Sequence, residues 1–161
     1  MATTDRGADG ALRGKLLEQL GEPTGAERAA WTAFLRAHSR ITKALDRELA
    51  AAHDLPLSEY DVLVQLALTE EGRLRMSDLA EAIVLSPSGL TRLVDRLARR
   101  GLLRREPCEG DSRVVYAALT AAGFEKLVDA TPTHLDGIRR LFWAHLDEEQ
   151  TADLAEIVAR L

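Results

Sequence analysis

Two short helical stretches, followed at once by a strand-turn-strand pattern, constrain this chain more than any other feature of its sequence. From Met76 a brief run carries Leu79, Ala80 and Ile83, and Val84-Leu85-Ser86 separates it from a second run that ends near Arg100. The second run sets Leu90, Leu93, Val94 and Leu97 at i, i+3, i+4 and i+7, which is one face of a helix. Ser86 caps its start, and Pro87 stands at the first helical position, where a missing N–H costs nothing. Gly101 ends it. The size and spacing are those of a helix-turn-helix. Leu102 and Leu103 then lead into the polar turn Cys108-Glu109-Gly110-Asp111-Ser112-Arg113, and Val114-Val115-Tyr116 supply strand-forming residues, so a hairpin is expected here.

The rest of the chain reads as helices. Residues 11–20 form a short helical stretch stopped by Gly21 and Pro23. Thr24 with Glu27 fits a capping box opening a long helix to about Ala52, with Trp31, Phe34, Leu35, Ile41, Leu45 and Leu49 at helical spacing. Ser58 with Asp61 repeats the box ahead of Val62, Leu63, Leu66 and Leu68; Glu71-Gly72 breaks that helix, and Ser77 caps the next. Thr120 opens a stretch to about Leu146 that Pro132 is expected to kink or divide, and Asp147 with Gln150 opens the last helix. The expected fold is mainly α, a winged helix-turn-helix with a β-hairpin wing. Residues 1–23 form a tail, residues 24–54 and 121–161 the terminal helices, and residues 56–120 the central lobe.

Composition narrows the class. At 161 residues, 46% apolar and 29% charged, the chain has material for one domain with appended helices and is too apolar for disorder. No stretch approaches the ~18 consecutive apolar residues of a membrane span, and the first ten residues lack the apolar segment of a secretory signal. One cysteine excludes an internal disulfide and a cysteine-cluster zinc site, and the expected compartment is the cytoplasm. The four histidines, at 38, 53, 134 and 145, are scattered, no paired acid completes a site around them, and no glycine-rich phosphate loop appears. No enzymatic activity, cofactor or metal site is expected.

Charge points to a partner. The chain carries a formal net charge of -5, yet residues 86–113 hold seven arginines against four acids. A basic segment on an acidic body is the footprint of a DNA reader. On the second helix, Ser88, Thr91, Arg92, Asp95, Arg96 and Arg99 fall off the apolar stripe; small hydroxyls approach phosphates or base edges, and arginines fork onto guanine or phosphate. The same pattern also describes an ordinary solvated helix face. Arg113, at the hairpin tip, is placed to enter a minor groove, and Asp111 either holds its guanidinium or serves the turn.

Met76-Ser77-Asp78-Leu79-Ala80, Ser86 through Leu97, Arg100-Gly101-Leu102, Asp111-x-Arg113, Leu119-Thr120 and Gly123 together resemble the MarR family of bacterial transcriptional regulators. The resemblance covers roughly residues 26–161. It implies a winged-helix homodimer held by its first and last helices and bound to a pseudo-palindromic double-stranded DNA operator. By resemblance, Ser86, Pro87, Ser88, Thr91, Arg92 and Arg96 face the major groove, and Asp111 and Arg113 serve the minor groove. The segment before Thr24 is longer than the barest members need, and Pro132 falls where one continuous helix is common. Phe142, Trp143, Leu146, Leu154, Ile157, Val158 and Leu161 are more apolar groups than a short pair of helices buries alone, which also favours a two-fold interface.

The resemblance further implies a repressor released by a small aromatic or anionic effector, with Trp31, His38, Tyr60 and Asp61 on the helices flanking the crevice. Trp31 is better accounted for as dimer core, His38 as a partly exposed helix residue, and Asp61 already serves as a capping residue. Cys108 offers redox sensing through the wing, although peroxide-sensing members carry their cysteine near the start of the first long helix, where this chain has none; an inert thiol is the plain alternative. The competing function is a winged helix used for protein–protein contact.

Overall fold

The computed structural model describes Lys15 and residues 24–83, 86–108, 110 and 114–160. The short helical stretch expected at residues 11–20, the residues Asp111 and Arg113, and Leu161 lie outside the described residues. The chain forms two compact units, Met1–Arg40 and Ile41–Leu161.

The element order is α1 (Gly25–His53), α2 (Leu57–Ala67), β1 (Arg73–Arg75), α3 (Met76–Ala82), α4 (Pro87–Arg99), β2 (Leu103–Pro107), β3 (Val115–Leu119), α5 (Ala121–Leu141), a 3₁₀ turn (Trp143–His145) and α6 (Glu148–Val158). The three strands form one antiparallel sheet in the order β1-β3-β2, with Arg75 opposite Tyr116 and Glu106 also opposite Tyr116. The expected hairpin is β2-β3. Its third strand escapes sequence reading because Arg73-Leu74-Arg75 carries no β-forming residue type; pairing with β3 makes it a strand.

In the second unit the core lies where α2, α3, α4, the sheet and α5 meet. Leu49, Leu55, Val62, Leu63, Leu66, Leu79, Val94 and Leu97 are fully buried there, joined by Leu90, Leu93, Leu103 and Ala117. Four caps form as the sequence indicates. Thr24 and Glu27 exchange bonds reciprocally, as do Asp147 and Gln150, while Ser86 and Thr120 accept from the backbone N–H of Gly89 and Gly123.

Other expectations are corrected. Ser58 and Asp61 form no capping box: α2 starts two residues earlier with Pro56 at its N-cap, and the orphan N–H of Leu57 donates to Asp46 Oδ1 at 2.9 Å. Ser77 caps nothing either, because α3 begins at Met76 behind Arg75, and the Ser77 hydroxyl donates to Asp78 instead. Pro132 does not divide α5, which runs on to Leu141 and gives way to the 3₁₀ turn before Leu146. Pro132 and Val128 are both exposed, so water can satisfy the Val128 carbonyl that proline leaves without a donor.

Close backbone approach fixes the end of α4 against the start of α5. Gly101 turns the chain at φ +72°, a conformation glycine enters without steric cost. The Thr120 hydroxyl donates to the Gly101 carbonyl at 2.7 Å. A Cβ at buried Gly123 would lie 1.9 Å from the Leu102 carbonyl oxygen, so no other residue fits there without moving backbone.

Candidate nucleic-acid interface

The interface is built on α4. Its inner stripe is spent on the core: Leu90, Leu93, Val94 and Leu97 are all nearly or fully buried. That burial turns the opposite face outward, where Ser86, Ser88 and Arg92 are exposed and Thr91 is half-buried. At the N-terminus the Ser86 hydroxyl takes the Gly89 N–H at 3.2 Å and lies 3.4 Å from the Ser88 hydroxyl. Pro87 occupies the first helical position. Ser86, Ser88 and Arg92 form one exposed polar edge along the start of the helix.

The C-terminal half of α4 is arranged differently. Glu59 of α2 is buried, and its carboxylate accepts from Arg96 Nε at 3.1 Å and from an Arg100 terminal nitrogen at 2.6 Å. Arg100 also donates to the Asp54 carbonyl at 2.6 Å and pairs with its carboxylate at 3.2 Å. Asp54 presents that carbonyl from a left-handed turn at φ 48°, which aspartate tolerates better than most residues. A buried carboxylate needs such partners, since leaving it unpaired in a core is costly. Arg96 therefore reaches back to α2, although its side chain stays 48% exposed. Glu59 was not among the sequence candidates, yet a signal existed: positions 59, 62, 63 and 66 are i, i+3, i+4 and i+7, so a glutamate sits in the core stripe of α2.

The remaining arginines sort the same way. Arg104 pairs with Glu106, Arg105 with Asp95, and Arg73 with both Glu71 and Glu106. Among the described residues no carboxylate lies within ion-pairing distance of Arg75, Arg92 or Arg99. The other described arginines of the lobe, Arg73, Arg96, Arg100, Arg104 and Arg105, each pair with a carboxylate.

The effector candidates separate into two groups. In the first unit, Trp31 stacks on Phe34 with ring centroids 5.9 Å apart, and Phe34 on His38 at 6.4 Å; Trp31 is 62% exposed. In the second, Tyr60 is buried with its ring 4.5 Å from that of His134 on α5, and its hydroxyl lies 3.4 Å from Thr131 Oγ1. His134 Nδ1 is buried and, among the described residues, has no hydrogen-bond partner; burial pushes its pKa below the usual histidine value. Half-buried Asp61 is held above the ordinary aspartate value by desolvation. Cys108 is a half-buried free thiol at the end of β2. No helix among the described residues is long and apolar enough to cross a membrane.

Comparison with known proteins agrees with this architecture. A family model described as MarR family matches residues 53–114, from the end of α1 into the hairpin. The HTH-type transcriptional regulator PecS of Dickeya dadantii is 32% identical over 119 residues, 70% of each chain. The HTH-type transcriptional repressor MdtR of Bacillus subtilis is 30% identical over 100 residues, 62% of this chain and 64% of its own. Among solved structures, Sco3205 of Streptomyces coelicolor, a MarR family transcriptional regulator in complex with DNA, superposes with a TM-score of 0.81 at 35% identity, covering 85% of this chain and 89% of that one. With its helix-turn-helix, its hairpin wing and a relative of this identity matched over more than two thirds of its length, the chain belongs to the MarR family of transcriptional regulators, which are not enzymes.

Proposed function

We propose that the protein is a homodimeric, sequence-specific DNA-binding repressor that acts in the cytoplasm and is released from its operator by a small aromatic or anionic effector. One observation carries the DNA-binding reading: the exposed edge of Ser86, Ser88 and Arg92 with Thr91 beside it, standing on a stripe of four buried residues that fixes its orientation. Small hydroxyls and an uncommitted arginine are the chemistry that reads base edges and phosphates in a major groove. The relative Sco3205 is itself described in complex with DNA, and MdtR is named a repressor. Arg113, with Asp111 beside it, is the proposed minor-groove contact.

Dimerisation is supported by exposed apolar side chains outside the lobe. Trp31, Phe34 and Leu35 on α1, and Trp143, Ile157 and Val158 near the C-terminus, are each more than two-fifths exposed. A second copy removes such groups from water. The two copies of α4 then enter successive major grooves, with half-site centres about 10 bp apart. The effector reading rests on Asp61 and His134, two half-buried polar groups without an ion pair or hydrogen bond among the described residues, and on Tyr60 packed against the second; Trp31 and His38, in the first unit, are candidates from the family resemblance alone.

A gel-shift titration of the full chain against the promoter of its own operon, repeated over a salt series, tests the central claim. The expected result is a sequence-preferring shift that weakens with salt. A chain that shows neither is a protein–protein module. Sedimentation at micromolar concentration should give a dimer, and a monomer would remove the two-groove arrangement.

A further inference from the structure

The seam between α4 and the hairpin holds a second cationic feature, separate from the α4 face. β1 sends Leu74 toward the core and leaves Arg73 and Arg75 exposed beside Tyr116 of β3. The Arg73 guanidinium lies 5.0 Å from the Tyr116 ring centroid and that of Arg75 lies 6.0 Å from it, so both use the negative face of the ring. Arg75 Nε also donates to the Tyr116 hydroxyl at 3.2 Å. The two arginines differ in what else they meet. Arg73 is neutralised by Glu71 and Glu106, whereas Arg75, among the described residues, pairs with no carboxylate. The Arg75 guanidinium is thus held in place by a neutral partner, while Asp78 acts on its charge through space without forming an ion pair.

It lines a cleft of about 320 Å³ whose other walls are Ser77 on α3, Thr91 on α4, and Arg105, Val114 and Val115 of the hairpin. With α4 in a major groove and the hairpin tip in the neighbouring minor groove, the sugar-phosphate strand that separates the two grooves must cross this seam. A cleft edged by a positioned guanidinium suits a phosphodiester oxygen; the Ser77 hydroxyl on its wall is already donated to Asp78. We infer that Arg75, oriented by Tyr116, is a phosphate anchor that fixes the register of the lobe on duplex DNA without reading sequence.

This rests on the DNA-binding reading above, and the test separates the two. Fluorescence anisotropy of the full-length protein is followed with an operator duplex and an unrelated duplex over a potassium chloride series. Removing one phosphate-neutralising cation lowers the slope of log K against log[salt] by about 0.9, so Arg75→Ala should reduce it by about that much per protomer and weaken both duplexes equally. Arg75→Lys should restore most of the slope, because the charge is kept. Tyr116→Phe should weaken both duplexes with the slope little changed, because the charge remains and only its orientation is lost. Arg73→Ala, already neutralised, should leave the slope as in the parent. Thermal midpoints of all four variants check that the fold persists. A parental slope in Arg75→Ala overturns the anchor alone. Absence of salt-dependent binding by the parent protein overturns the DNA-binding reading and the anchor with it.

Discussion

The two halves of α4 carry the same residue types and use them in opposite ways. Arg92 and Arg96 are one helical turn apart, and both are exposed. Arg92 meets no carboxylate among the described residues, while Arg96 joins Arg100 on the buried Glu59. The N-terminal half therefore keeps Arg92 out of any ion pair among the described residues, and the C-terminal half is a brace fastening the helix to α2. Counting charges along the sequence cannot separate the two, because the difference is whether a carboxylate from another helix has reached the guanidinium first.

The largest effect should come from removing the brace. Glu59→Ala leaves two arginines without their shared anion and opens a hole in the core stripe of α2, and should lower unfolding stability by about 2–3 kcal/mol, read as a shift in urea midpoint. The effect stays below that of a fully enclosed pair because both guanidinium groups are partly in water. Next, Arg92→Ala should cost about 1–3 kcal/mol of operator affinity with the urea midpoint unchanged, as expected of a base or phosphate contact. Arg96→Ala should show the reverse ranking, losing about 1 kcal/mol of stability and less operator affinity than Arg92→Ala. If Arg96→Ala proves the more damaging to DNA binding, the division of α4 into a reading half and a bracing half is wrong.

The smallest effect concerns Asp61, two residues after Glu59 on the same helix and unpaired among the described residues. Its pKa in the folded protein lies above the ordinary 3.8, so the native state holds the proton more tightly than the unfolded chain does. Stability is then lost as pH rises from 3.8 through the folded value, and the penalty persists at neutral pH. Asp61→Asn should raise the urea midpoint at pH 7, with the gain fading as pH falls toward 3.8. His134 works from the other side: its folded value lies below 6.5, so stability declines as pH falls beneath 6.5, and His134→Phe should flatten that decline. A pH profile of stability in both variants that matches the parent's would place both groups in water.

How much was legible in the sequence follows from how local each interaction is. The caps at Thr24, Ser86, Thr120 and Asp147 need only residues three positions away, and all four form. The apolar stripe of α4 is likewise readable, since periodicity alone names its buried face. The box expected at Ser58 and the cap expected at Ser77 fail because other groups decide those helix starts: Asp46, eleven residues upstream of Leu57, takes the N–H at the first of them. β1 exists only through β3, more than forty residues later. At the candidate site, the hydroxyls and arginines were visible, but the partners that neutralise Arg96, Arg100 and Arg105 were not, because pairing between separate elements leaves no periodic trace.

The approach of Gly123 to Leu102 has a mechanical consequence. Where two elements meet through side chains, a small displacement is absorbed by rotamer changes before it travels further. At this joint a glycine Cα meets a backbone carbonyl with no room even for a methyl group, and Thr120 ties the same corner to Gly101. Such a joint has almost no slack. A displacement of the start of α5 therefore presses directly on Leu102, the residue that leads from the Gly101 turn into β2, with no side chain between them to absorb it.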